Sequence, residues 1–143
     1  SPVDDAETRA MGAVQMQTLE GLLAASDFVS LHCPGGAENR HLIDARSLRL
    51  MKPGAFLINT ARGDVVDQDA LIGALERREI AGAGLDVFDG EPAVPEALKR
   101  LENVVLLPHL GSATDETRVA MGMKVVENLT AFFEGRPVPN RVA

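Results

Sequence analysis

Three residues in this sequence have the types that reaction chemistry needs: Arg62, Glu91 and His109. Each follows a short apolar run of strand-like composition. A guanidinium is planar and permanently charged, so Arg62 can grip a carboxylate through two parallel hydrogen bonds. An imidazole exchanges protons near working pH, so His109 can serve as general acid or base. Glu91 can hold the other N–H of that ring, orient it and favour its charged form. Together they would suit reduction of a 2-keto acid, with an anchor and a proton donor from protein and a hydride from a cofactor. Plainer roles stay open for each. Arg62 could be a helix-end or surface residue, His109 a structural one, and Glu91-Pro92 a simple turn. Placement alone leaves the matter undecided, because a fold does not fix a function.

The elements that would position these residues are legible. Four apolar runs read as strands: Phe28–His32, Ala55–Asn59, Ala81–Val87 and Val104–Leu107. None alternates polar with apolar, as expected of strands covered on both faces. Helical patterns lie at Leu19–Ala25, Ala45–Met51, Gln68–Arg78 and Pro95–Leu101, with a longer one at Asp115–Glu134. Thr18, Asp44, Asp67 and Thr114 stand as N-caps, and Pro95 suits a first helical turn. Asp115 and Glu116 complement the dipole of the last helix, and Gly135 followed by Arg136-Pro137 stops it. Val119, Met123, Val126, Leu129 and Phe133 recur at three- and four-residue steps, which predicts one buried stripe. Strands alternating with helices predict a parallel α/β sheet, in which ligands sit in the loops after the strands. Those loops hold His32-Cys33-Pro34, Thr60–Gly63, Phe88–Pro92 and Pro108–Gly111.

Composition narrows the partners. The 143 residues allow one domain with a sizeable core, and 45% are apolar. Aromatic residues make up 3%, too few for a surface that stacks bases or sugars. With 14 Lys and Arg against 21 Asp and Glu, the formal charge is −7, which repels nucleic acid and anionic lipid. An anionic substrate would therefore need a local cationic spot. Cys33 is the single cysteine, which excludes an internal disulfide and fits a reducing, cytoplasmic compartment. No apolar stretch approaches the roughly 18 residues of a membrane helix. A metal site built from His32, Cys33 and His41 matches no compact zinc spacing. Cys33 has no matched base beside it and reads as a loop thiol, not a nucleophile.

Three blocks resemble the D-isomer-specific 2-hydroxyacid dehydrogenases: Asn59-Thr60-Ala61-Arg62-Gly63, Gly82–Phe88 with Glu91-Pro92, and Pro108-His109-Leu110-Gly111-Ser112. The likeness runs in order and spacing from about Leu19 to Val142. It implies that Arg62 binds the substrate carboxylate, His109 is the acid/base and Glu91 pairs with it. It also implies cofactor contacts: Cys33 and Pro34 beside the adenosine ribose, Thr60 and Ala61 along the nicotinamide, and Asp86 near its carboxamide. Arg62 and His109 belong to that wall too, with Gly111 and Ser112 near the nicotinamide at the domain cleft. Without the resemblance, Asp86 could be a strand-end residue capping a turn. The segment Pro34-Gly35-Gly36-Ala37-Glu38-Asn39-Arg40-His41 departs from the family's common Pro-Leu-Thr-Pro-Glu-Thr. With the stretch after Glu91, it is similar to glyoxylate/hydroxypyruvate reductases. Glu91 argues against the formate dehydrogenase branch, where Gln is usual. The cofactor implied is NAD or NADP. NADP is favoured because Ser1-Pro2 resembles a segment that an Arg often precedes in NADP-preferring members. The resemblance further implies a homodimer in the complete protein.

No Gly-x-Gly-x-x-Gly stands between a strand and a helix. Gly82-Ala83-Gly84 opens no helix and reads as close strand packing, not a phosphate loop. The expected fold is thus an incomplete doubly wound, Rossmann-like sheet of four strands and about five helices, without its first two strands and glycine loop. Residues 1–111 would be the partial nucleotide-binding domain. Residues 112–143 would be a hinge and a helix returning toward an absent substrate domain. In the order 3-2-1-4-5-6 the Phe28 run would be strand three and the Ala55 run strand four, so the absent pair would lie between them. That gap predicts open edges, self-association and poor nucleotide binding by the chain alone. The competing function is a non-catalytic, nucleotide-sensing protein of corepressor type on the same fold.

Overall fold

The computed structural model describes residues 6–142; Ser1 and Pro2, on which the preference for NADP rests, lie outside the described residues. The elements run α1 (Ala6–Ala10), α2 (Leu19–Ala25), β1 (Phe28–Leu31), α3 (Ala45–Leu50), β2 (Phe56–Asn59) and a 3-10 turn (Gly63–Val65). There follow α4 (Gln68–Glu76), β3 (Gly82–Leu85), α5 (Glu96–Lys99), β4 (Val104–Leu106) and α6 (Asp115–Phe133). The short α1 and the 3-10 turn have no counterpart in the sequence-based reading. The predicted N-caps all form: Thr18, Asp44, Asp67 and Thr114 accept from the amides of Gly21, Ser47, Ala70 and Thr117. Pro95 stands one place earlier than expected, at the cap of α5 and not in its first turn.

The four strands form one parallel sheet in the order β1-β2-β3-β4. Phe28 pairs with Phe56 and Leu31 with Asn59, so β1 and β2 are direct neighbours. This corrects the expected gap. No strand lies between the two runs, and direct pairing excludes the third and fourth places of the 3-2-1-4-5-6 order for them. The α3 connection instead sets sequential strands side by side, the commonest arrangement. Asn59 aligns with Leu85, and Leu85 with Leu106, so the carboxyl ends of β2, β3 and β4 lie level.

Burial follows pleat parity. Val29, Leu31, Leu57, Ala83 and Leu85 join Leu23, Leu48, Leu71, Leu75 and Leu98 of α2–α5 in one core. Among the described residues the other face is only partly covered, which corrects the expectation of strands covered on both sides. Phe28 is 69% exposed and Val105 62%, and Phe28 stacks on Phe56 with ring centroids 5.5 Å apart. The glycines of β3 are packing residues, as the sequence implied. A Cβ on Gly82 would stand 2.5 Å from the Asn103 carbonyl oxygen and 3.0 Å from the Phe56 ring.

The chain divides into two compact units, Ser1–Pro108 and His109–Ala143. In the second, α6 ends at a C-cap residue, Glu134, followed by Gly135 with φ 71. The stripe predicted to be buried is exposed: Val119, Met123, Val126 and Leu129 are open and Phe133 is 81% exposed. Its spacing is real, but nothing among the described residues covers it. Among those residues no helix is long and apolar enough to cross a membrane.

The Asp44 cap makes a testable contribution. Its carboxylate accepts from Ser47 N–H at 2.8 Å, and that bond holds its pKa below the ordinary 3.8. A depressed folded-state value gives stability that is present above the unfolded value and lost as pH falls through the folded one. Asp44→Ala should therefore cost about 1 kcal/mol at neutral pH, the usual scale of an N-cap. In denaturant titrations the deficit should shrink as the pH is taken below that ordinary value.

Candidate active site at the strand tips

The loop after β2 is shaped by one buried amide. Asn59 is 1% exposed. Its Nδ2 donates to the Arg62 carbonyl at 2.9 Å, and its Oδ1 accepts from Ala61 N–H at 3.1 Å. A buried amide must be satisfied, and here local backbone satisfies it by turning the chain back over the strand end. Arg62 is left exposed at the crest, its Nη1 donating to the Ala61 carbonyl at 2.6 Å. Among the described residues it has no carboxylate partner. Its remaining donors are available to a ligand.

An open cleft of about 440 Å³ lies beside it, lined by His32, Cys33, Pro34, Gly35, Thr60, Ala61 and Arg62. The carboxyl ends of β1 and β2 thus bring five of the expected residues together: Cys33, Pro34, Thr60, Ala61 and Arg62. Cys33 is half-buried and in no disulfide. Sequence reasoning passed over two lining residues. His32, whose Nε2 lies 2.8 Å from Ser30 Oγ, was weighed only as a metal ligand. Gly35 carried no signal beyond an unusual Pro-Gly-Gly. Among the described residues no cluster of three His, Cys, Asp or Glu side chains could hold a metal ion.

The loop after β3 abuts the Arg62 loop. Gly63 lies so close to the Phe88 carbonyl and the Asp89 amide that any Cβ there would overlap them. Asp86 is buried at the strand end, its N–H donating to the Asn59 carbonyl at 2.9 Å. Glu91 stands in an exposed turn, and its Oε1 accepts from Phe88 N–H at 2.8 Å. Gly90 supplies the positive φ of 89 that this turn requires. In the second unit His109 has φ 57, in the left-handed region that costs a non-glycine residue free energy. Leu110, Gly111 and Ser112 follow in a turn closed by Ala113 N–H to the Leu110 carbonyl at 2.9 Å.

Comparison with known proteins decides the family. The sequence profile of the D-isomer specific 2-hydroxyacid dehydrogenase, NAD binding domain, matches residues 1–111. The chain belongs to that family. Glyoxylate reductase of Thermococcus litoralis is 56% identical over 123 residues, which cover 86% of this chain and 37% of the relative. That of Korarchaeum cryptofilum is 55% identical over 130 residues, covering 90% and 39%. A solved NADPH-dependent glyoxylate/hydroxypyruvate reductase from Sinorhizobium meliloti, in complex with NADP and malonate, superposes with a TM-score of 0.84 at 45% identity. That match covers 90% of this chain and 40% of the solved one. The chain therefore spans about two fifths of the length of these dehydrogenases.

The contact between Gly63 and Phe88 is what holds two loops of this dehydrogenase domain together. Gly63→Ala should destabilise the protein by about 1–3 kcal/mol through overpacking, read as a lowered unfolding midpoint. An unchanged midpoint would show that the two loops separate freely.

Proposed function

We propose that this chain forms part of an NAD(P)-dependent oxidoreductase that reduces small 2-keto acids, with glyoxylate and hydroxypyruvate favoured. The observation that carries the reading is Arg62: an exposed guanidinium lining the cleft, on a loop whose backbone the buried amide of Asn59 holds, with no carboxylate of its own among the described residues. A chain of net charge −7 that presents such a cation beside a cleft is suited to a small anion. The names of the relatives point to the same substrate class.

The residues present fit a nicotinamide cofactor. The cleft lies at the carboxyl ends of parallel strands, where such sheets bind ligands, and small or flat side chains border it. Cys33 and Pro34 would border the adenosine side, Thr60 and Ala61 the nicotinamide, and Asp86, Gly111 and Ser112 its carboxamide end. When bound, the dihydronicotinamide supplies the hydride. The chain's own residues do the rest. Arg62 clamps the substrate carboxylate through paired N–H donors and orients the keto carbon. His109 delivers a proton to the keto oxygen as charge develops there, and Glu91 holds the ring in the required orientation. The NADP-bound Sinorhizobium relative favours NADP. A homodimer remains part of the proposal, with the exposed stripe of α6 as a candidate surface.

The test is reduction of glyoxylate and hydroxypyruvate by the full-length protein carrying this chain, followed as loss of NADPH or NADH absorbance. A non-catalytic nucleotide sensor would bind the cofactor without turnover. Arg62→Ala should raise the keto-acid KM about tenfold to a hundredfold, the scale of a lost charge-assisted contact. His109→Ala should cut kcat at least about 100-fold. If His109→Ala leaves turnover intact, the assignment of the acid is wrong.

A further inference from the structure

We propose that Asp64 is a positioning residue for Arg62, acting through the glycines of the neighbouring loop; this rests on the reading of Arg62 as the carboxylate anchor. Two residues after the arginine, the Asp64 carboxylate makes no ion pair with it and accepts from Gly36 N–H through Oδ2 at 2.9 Å. Its other oxygen fills the space beside Gly35, where a Cβ would stand 2.6 Å away. The same Cβ would stand 3.0 Å from both Cβ and Cγ of Arg62. Gly35 is thus a backbone wall against which the arginine stem lies. Only a residue without a side chain leaves room for the stem and the carboxylate together.

The rest of that loop is braced independently. Asn39 donates from Nδ2 to the Pro34 carbonyl at 2.9 Å and from its own N–H to the Gly36 carbonyl at 3.1 Å. His41 N–H donates to the Asp64 carbonyl at 2.9 Å, and Ile43 N–H to that of Val65 at 3.1 Å. The Asn39 bonds brace the loop within itself, and the last two tie its far end to the segment after Arg62. At the end facing Arg62, the hydrogen bond that crosses to the Arg62 segment among the described residues is that to the side chain of Asp64. Gly36, with φ 103, turns its N–H to that carboxylate at no steric cost.

The chemical consequence lies in substrate grip. A long, exposed arginine loses rotamer freedom when it clamps an anion, and a wall along its stem removes part of that freedom beforehand. Releasing the Gly36 tie lets Gly35 withdraw and the guanidinium spread over more rotamers. The loss then falls on keto-acid binding and not on proton delivery.

The experiment compares Asp64→Ala, Asp64→Asn and Arg62→Ala in the full-length protein, with glyoxylate and NADPH as probes. Asp64→Ala should raise the glyoxylate KM about fivefold to tenfold, the scale of one hydrogen bond, with kcat and the NADPH KM within about twofold of the parent. Asp64→Asn keeps an accepting oxygen for Gly36 and should restore most of the parent KM. Hydrogen exchange at the Gly36 amide should quicken in the alanine variant and recover in the asparagine one. If Arg62→Ala raises KM while Asp64→Ala does not, the positioning role alone is overturned. If Arg62→Ala leaves KM unchanged, the anchor reading fails and the role of Asp64 falls with it. A general loss of folding would lower kcat and both KM-defined affinities together, which also overturns the proposal.

Discussion

The buried amide of Asn59 is the constraint from which the site follows. A strand end in the middle of a parallel sheet is cut off from water, so an amide placed there must find protein partners. Asn59 finds them in the Ala61 N–H and the Arg62 carbonyl. Both lie in the next few residues, so the chain cannot run on as an extended strand. It folds over the sheet edge and lifts Arg62 to the rim. An apolar residue at the same place would leave two backbone groups to find water and free the loop to follow it. The exposure of the arginine at the rim is thus fixed by a side chain that is itself buried.

From that turn the neighbouring loops are located by contact and not by charge. Gly63 rests on the backbone of Phe88 and Asp89, which places the Glu91 turn beside the Arg62 loop. Gly35 rests on the stem of Arg62, which places the Cys33-Pro34 segment across the cleft. Close packing is insensitive to salt and falls off within a fraction of an ångström, so it positions more sharply than surface ion pairs do. An ion pair between these loops, Arg40 with Asp89, is long at 3.4 Å and largely exposed. It contributes little beside the glycine contacts. Loops set on strand tips in this way can differ in sequence while the sheet beneath them stays the same.

The sequence carried the elements and, through three short blocks, the family, because each rests on local chemistry. Caps at Thr18, Asp44, Asp67 and Thr114 need only an oxygen three residues from an amide, and all four formed. The parallel α/β class followed from alternation of runs. What failed was long-range. Whether the Phe28 run lies beside the Ala55 run depends on pairing across the α3 connection, which no local pattern encodes, and the borrowed strand numbering separated them wrongly. Apolar runs in β1, β2 and β4 read as doubly covered, yet Phe28 and Val105 are exposed, because composition records what a face can bury and not what this chain supplies to cover it. The same holds for the stripe of α6. Asn59 was legible as the end of an apolar run and the start of a family-like block but not as the brace of its loop, and Asp64 gave no signal, since its partner lies 28 residues away.

That partner explains how an acidic chain keeps a usable cation. Arg62 has Asp64 two residues on, and the simplest arrangement would join them as an ion pair. Such a pair would satisfy the guanidinium and leave an incoming carboxylate to compete with a tethered one at high effective concentration. In the structure the Asp64 carboxylate is bound to the Gly36 amide instead, in the space beside Gly35 that a side chain would fill. The excess of 21 acidic over 14 basic groups is spread over the surface, and at physiological salt its field is screened beyond roughly 8 Å. Within that distance the geometry of one loop decides the sign that a small anion meets. The glycine pair at positions 35 and 36 is therefore an electrostatic device as well as a steric one, because Gly35 leaves room for the neighbouring carboxylate and the Gly36 N–H gives it a partner other than the arginine.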